Sequence, residues 1–119
     1  CHTGEKSCFF NPLDELPESY EYTEISAGIL EELFAVIKDR QSDPKEGSYT
    51  TQLLNEGISR IGQKVIEEAG ETALSAVAKD DKTSLVNEVS DLLFHTMVLM
   101  AASDISPKAV WEELSSRRK

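Results

Sequence analysis

The sequence predicts an all-α domain, a bundle of four or five helices. Three observations predict it. From Thr23 onward the apolar residues recur at helical spacing. No segment alternates apolar and polar residues at the period of two that a half-buried strand requires. The polar breaks between the periodic segments are short, as in bundles whose consecutive helices lie antiparallel. Neither an internal repeat nor a low-complexity tract is present.

The first helix is carried by Leu30, Leu33, Phe34 and Ile37, at i, i+3, i+4 and i+7. Thr23 or Ser26 stands where its cap belongs. It should stop near Arg40, because Ser42-Asp43-Pro44 follows and the residue before a proline disfavours the helical conformation. Asp43 to Ser48 is a polar loop with Pro and Gly, after which Thr50 or Thr51 can cap a second helix. Gly57 and Gly62 weaken the first part of that helix and open it to a break. From Ile58 on, Ile61, Val65, Ile66, Ala69, Ala73, Ala76 and Val77 form one broad apolar face, ending at the Lys79-Asp80-Asp81-Lys82 turn.

A third helix runs from about Ser84 to Ala102. Leu85, Val86, Val89, Leu92, Leu93, Phe94, Met97, Val98, Leu99 and Met100 surround its axis. A helix apolar all round sits at the centre of a bundle or is buried in an oligomer. Ser106-Pro107 supplies a cap followed by a first-turn proline. The last helix is short, from Pro107 to about Ser116, and is amphipathic through Val110 and Leu114 with Trp111 beside them.

Residues 1–24 read differently. Turn chemistry fills the first ten positions, and Asn11-Pro12-Leu13-Asp14-Glu15-Leu16-Pro17 has a linker composition. The helical domain is expected at 25–119, preceded by a linker over 11–24. The chain begins at Cys1 rather than Met and reads as a piece of a longer or processed protein.

A length of 119 residues is one domain, or a domain with a tail. Twenty-two acidic against twelve basic residues give a net charge of −10. So acidic a chain repels phosphate backbones, which excludes nucleic acid as a partner. A phosphorylated ligand would need a cation to mediate. The longest apolar run, Leu92 to Ala102, is interrupted by His95 and Thr96 and is too short to cross a bilayer, so no membrane is expected. No signal or transit peptide is recognisable. Both cysteines, Cys1 and Cys8, lie in the first eight residues, so no disulfide framework supports the domain and a cytoplasmic location is expected.

The informative residues are acids in an apolar setting. At ~100° per residue, Lys64, Glu67, Glu68 and Glu71 share one face of their helix. Glu88, Asp91 and His95 share one face of the next, flanked by Leu92 and Leu99. Glu68 with Asp91 and Glu71 with Glu88 are centred on the same point of the chain, inside the Lys79–Lys82 turn. An antiparallel hairpin therefore brings the four carboxylates to nearly one level. Two carboxylates ~4 Å apart repel by about 4 kcal/mol at an effective dielectric of ~20. Raised pKa values, basic partners or a divalent metal can relieve this, and hard oxygens without thiolates suit Mg²⁺ or Mn²⁺. The bland reading is a solvated acidic face, which fits Glu67 better than it fits Glu88 and Asp91 on the most apolar helix. A di-iron bundle would want Glu-x-x-His on two helices, and that pattern is absent.

Glu68-x-x-Glu71 followed by Glu88-x-x-Asp91 resembles the signature of the all-α, MazG-like nucleoside-triphosphate pyrophosphohydrolases. Ser48-Tyr49-Thr50, Gly62-Gln63-Lys64-Val65-x-Glu67-Glu68-Ala69-x-Glu71 and Asp91-Leu92-Leu93-Phe94-His95 more narrowly resemble phosphoribosyl-ATP pyrophosphohydrolase. The resemblance covers about 25–119. Gly70 departs from the bulkier apolar residue common there and touches no proposed ligand. Cys-His-Thr-Gly-x-x-Ser-Cys-Phe at the start is similar to the C-terminal end of phosphoribosyl-AMP cyclohydrolase, in which both cysteines bind Zn²⁺ with a third from upstream. Residues 1–10 would then be the remnant of a cyclohydrolase domain fused ahead of the hydrolase. Two cysteines cannot complete a tetrahedral site alone, so Cys1 and Cys8 are zinc ligands only of the missing domain.

The resemblance implies Mg²⁺-dependent hydrolysis of 1-(5-phosphoribosyl)-ATP to 1-(5-phosphoribosyl)-AMP and pyrophosphate, the second step of histidine biosynthesis. It assigns Glu68, Glu71, Glu88 and Asp91 as metal ligands, and Glu67 and Glu68 to the catalytic step, Glu67 as extra ligand or general base. Lys64 would reach phosphate oxygens, or instead pair with Glu68. Lys45, Ser48, Tyr49 and Thr50 would contact substrate phosphates from the loop, although Lys45 also reads simply as an exposed lysine. His95 would bind substrate or hydrogen-bond a ligand carboxylate from behind, or be a satisfied core histidine. A homodimer is implied too, which the surplus apolar surface of the third helix fits. The rival readings are a house-cleaning pyrophosphohydrolase for non-standard nucleotides and a non-catalytic helical dimerisation module.

Overall fold

The computed structural model describes residues 25–79 and 81–118. All regular structure among them is helical: α1 (Gly28–Ser42), α2 (Tyr49–Glu56), α3 (Ile58–Val77), α4 (Lys82–Ala102) and α5 (Pro107–Ser116). The expected bundle is therefore a five-helix one. The proposed remnant, its cysteines, the linker and Thr23 lie outside the described residues.

Local chemistry explains the helix boundaries. α1 starts without a side-chain hydrogen bond from its N-cap, Ala27. It runs two residues past Arg40, to Ser42, before Pro44 intervenes. α2 is capped by neither expected threonine. Ser48 Oγ accepts the Thr51 N–H at 3.2 Å instead. The break falls at Gly57, whose φ of 94° and ψ of 173° suit glycine alone, while Gly62 continues the helix. α4 starts at Lys82 because Asp81 Oδ1 accepts the Ser84 N–H at 2.8 Å. Ser106 caps α5, with Pro107 in its first turn.

α3 and α4 form the expected antiparallel hairpin and make the most extensive helix contact of the fold. α1 also packs on α4, α2 contacts α1, α3 and α4, and α5 leans on α1. The core comprises Leu33 and Ile37 of α1, Leu53 of α2, Ile61 of α3 and Phe94, Met97, Val98, Met100 and Ala101 of α4. Leu30 and Phe34 complete the predicted α1 stripe as partly buried neighbours.

Of the broad apolar face expected on α3, Ile61 is the member that enters this core. The buried residues of α3 are Ile61, Lys64, Glu68 and Ser75, so its polar side turns inward. Ile66 and Val77 are 74% and 78% exposed, and Ala69, Ala73 and Ala76 are exposed on the same face. Val86, Val89 and Leu93 make a matching exposed stripe on α4 at i, i+3 and i+7. By length and composition α4 is the one described helix that could cross a membrane, which the interrupted apolar run did not predict. Within the fold it is the central helix. Its contacts reach α1, α2 and α3, and its polar stripe lies against α3.

Candidate active site

Glu68 and Glu71 lie one turn apart on α3, and Glu88 stands opposite them on α4. One carboxylate oxygen from each lies within 4.8 Å of the other two. Glu68 is wholly buried, Glu71 and Glu88 half-buried. Asp91, one turn beyond Glu88, is buried beside this triplet and not part of it. The convergence expected of four carboxylates is thus a tight group of three, with the fourth adjoining.

The electrostatics follow from the crowding. Burial, a hydrogen bond with Glu71 and the repulsion of Glu71, Asp91 and Glu68 push the Glu88 carboxyl upward from its ordinary value. Glu88 Oε2 is buried with no hydrogen-bond partner among the described residues. The basic counterweight is Lys64, whose side chain is 4% exposed. Its Nζ lies 3.2 Å from Glu67 Oε2 and 3.4 Å from Glu68 Oε1. The i,i+4 pair with Glu68 that the sequence offered as an alternative is therefore present. Arg60, which the sequence reading passed over, lies 3.4 Å from Glu56 and 3.7 Å from Glu67. Its signal was available: it stands four residues before Lys64 and seven before Glu67, on the same helical face.

His95 is fully buried, and both ring nitrogens are engaged. Nδ1 lies 2.7 Å from the Asp91 carbonyl oxygen, which can only accept, so Nδ1 carries the proton. Nε2 is then an acceptor, and the Tyr49 hydroxyl donates to it over 2.9 Å. Burial pushes the His95 pKa down, which favours this neutral ring. Tyr49 also stacks on Phe94, with ring centroids 6.0 Å apart. Its own pKa is pushed up to about 12, by burial first and then by the nearby Glu68 carboxylate.

The remaining candidates divide. Ser48 serves as the cap of α2. Thr50 is buried, its hydroxyl without a hydrogen-bond partner among the described residues. Lys45 is exposed on the loop, its backbone N–H donating to Thr51 Oγ1 at 3.0 Å. Arg40, read only as a helix end, is fully buried and pairs with Asp39 at 2.8 Å.

Three carboxylates that close, with His95, the one imidazole among the described residues, committed elsewhere, make a donor set of hard oxygens. That set fits Mg²⁺ or Mn²⁺ better than a metal preferring nitrogen or sulfur.

The chain is also similar to known proteins. The family model for phosphoribosyl-ATP pyrophosphohydrolase matches residues 30–118. The histidine biosynthesis bifunctional protein HisIE of Pyrococcus furiosus is 42% identical over 119 residues, covering 100% of this chain and 54% of that protein. Its namesake in Helicobacter hepaticus is 39% identical over 127 residues, covering 98% and 54%. The phosphoribosyl-ATP pyrophosphatase of Azospirillum brasilense is 45% identical over 93 residues, covering 78% of this chain and 83% of that one. The chain spans about half the length of the bifunctional relatives it matches. It belongs to the phosphoribosyl-ATP pyrophosphohydrolase family.

Proposed function

We propose that this chain hydrolyses 1-(5-phosphoribosyl)-ATP to 1-(5-phosphoribosyl)-AMP and pyrophosphate, in histidine biosynthesis. The observation that carries the reading is the approach of Glu68, Glu71 and Glu88 to within 4.8 Å of one another at the α3–α4 contact. These three, with Asp91 beside them, would hold Mg²⁺ or Mn²⁺. Bound there, the ion would neutralise the triphosphate and lower the pKa of an attacking water. The residues of the chain supply the rest. Glu67, half-exposed and flanked by Lys64 and Arg60, would accept a proton from that water. Tyr49 and His95 brace the Asp91 segment of α4 against the first turn of α2. Lys45, exposed on the loop, would approach substrate phosphates from there.

The active unit is a homodimer in this reading. A monomer that turns its charged α3 face inward and exposes Ile66, Val77, Val86 and Leu93 leaves an apolar strip across two helices. A second copy placing its own strip there would cover both. Residues 1–10 are read as the end of a cyclohydrolase domain, with Cys1 and Cys8 serving a Zn²⁺ site in the longer protein. The whole-chain similarity to bifunctional relatives supports this. A cytoplasmic setting goes with the reading.

The test is pyrophosphate release from phosphoribosyl-ATP with and without Mg²⁺, for the parent and for Glu88→Gln. Mg²⁺-dependent turnover that the substitution abolishes is expected. Release from non-standard nucleotides and not from phosphoribosyl-ATP would favour the house-cleaning reading. Turnover indifferent to Glu88→Gln would remove the site assignment.

A further inference from the structure

Lys64 is an unusual neighbour for a cation site. An ammonium seldom lies buried, and this one is held between two carboxylates, at 3.2 Å from Glu67 and 3.4 Å from Glu68. Glu68 is the shared element. Its Oε1 faces Lys64, and its carboxylate also belongs to the triplet with Glu71 and Glu88. Glu68 is itself wholly buried, so an ionised carboxylate there needs positive charge at hand in every state of the protein. A divalent ion in the triplet would supply it, and would then lie close to an ammonium of the same sign. At a few ångströms and low effective dielectric such repulsion is far from negligible. The lysine stem is flexible, with four rotatable methylenes, so the ammonium can leave while the backbone of α3 stays fixed.

We propose that Lys64 is a built-in competitor of the metal. It balances Glu68 before the divalent cation binds, and it must give up Glu68 for the cation to load. Metal loading is then an exchange of an ammonium for a divalent ion, and the freed ammonium becomes available to anionic oxygens of the substrate. This rests on the metal reading above and goes beyond it, because it predicts that a positively charged residue of the site weakens the binding of the metal alone.

The experiment measures Mn²⁺ binding to the 119-residue chain without substrate, by the loss of the free-ion electron paramagnetic resonance signal. Lys64→Met should bind Mn²⁺ about tenfold more tightly than the parent, equivalent to about 1.4 kcal/mol. Lys64→Arg, which keeps the charge, should stay at or below parental affinity. Without metal, Lys64→Met should melt at a lower temperature than the parent, and Mn²⁺ should raise its midpoint by more. Should Lys64→Met fail to fold without metal, amine acetylation of the parent read by mass spectrometry decides instead. Lys64 should be protected without Mg²⁺ and modified once Mg²⁺ is saturating. Parental Mn²⁺ binding with a Lys64→Met affinity equal or weaker, or protection that Mg²⁺ does not lift, overturns the exchange and leaves the metal reading standing. No Mn²⁺ binding by parent or variant overturns both.

Discussion

The Tyr49 hydroxyl donates a 2.9 Å hydrogen bond to Nε2 of His95, and His95 in turn donates from Nδ1 to the Asp91 carbonyl at 2.7 Å. One buried imidazole thus ties the first turn of α2 to the stretch of α4 that carries Asp91. The sequence offered Tyr49 as a substrate contact, and His95 as a substrate contact, a partner of a ligand carboxylate or a satisfied core histidine. His95 is enclosed, with both ring nitrogens hydrogen-bonded. Tyr49→Phe keeps the ring and its stacking on Phe94 but leaves a buried nitrogen lone pair without a donor. The expected cost is about 1–3 kcal/mol of unfolding free energy, read from urea denaturation.

The same imidazole sets a pH dependence. Its folded pKa lies below the ordinary 6.5, so as pH falls the unfolded chain takes up the proton first. The stabilisation that the neutral ring contributes is present above about 6.5 and is lost as pH falls toward the folded value. Denaturant midpoints of the parent should decline over that interval. The decline should be smaller in His95→Gln, whose side chain does not titrate; equal slopes would mean that other groups set the dependence.

Glu88 has the opposite sign. Its folded pKa is raised above 4.5, so its ionised form is a penalty to the metal-free fold, relieved as pH falls through the folded value. Glu88→Gln should therefore raise the melting temperature at neutral pH without metal, by relieving repulsion from Glu71, Asp91 and Glu68. Added Mg²⁺ should stabilise the parent more than the variant. Calorimetry in chelator and in excess Mg²⁺ checks both statements.

Ile66 is 74% exposed in the middle of the outward apolar face of α3. If a second copy covers that face, Ile66→Glu places a charge in the interface and should yield monomers by sedimentation velocity at concentrations where the parent is dimeric. A parent that is monomeric at high concentration would contradict the homodimer.

Two glycines provide a contrast in backbone terms. Gly57→Ala forces a side chain into φ 94°, ψ 173° and should cost about 1–3 kcal/mol. Gly62 lies within α3, and a Cβ added there meets nothing within 4 Å. Gly62→Ala should stabilise by roughly 0.5–1 kcal/mol through helix propensity. Thermal unfolding of the two variants side by side tests the placement of the α2–α3 break.

The sequence by itself determined the helices, their order and the hairpin that opposes Glu68 and Glu71 to Glu88. Helical periodicity and the short turn at Lys79–Lys82 are local properties, written in residues close along the chain. It also set out two faces on α3, one charged through Lys64, Glu67, Glu68 and Glu71, the other apolar through Ile66, Ala69, Ala73 and Val77. Which face turns inward was decided only by the tertiary structure. An amphipathic pattern says that two surroundings exist, but not which of them this chain's own core provides. Here the core claims the charged face, because α4 offers Glu88, Asp91 and His95 across from it. The burial of Arg40 and the bond between Tyr49 and His95 also join residues whose proximity no local spacing encodes.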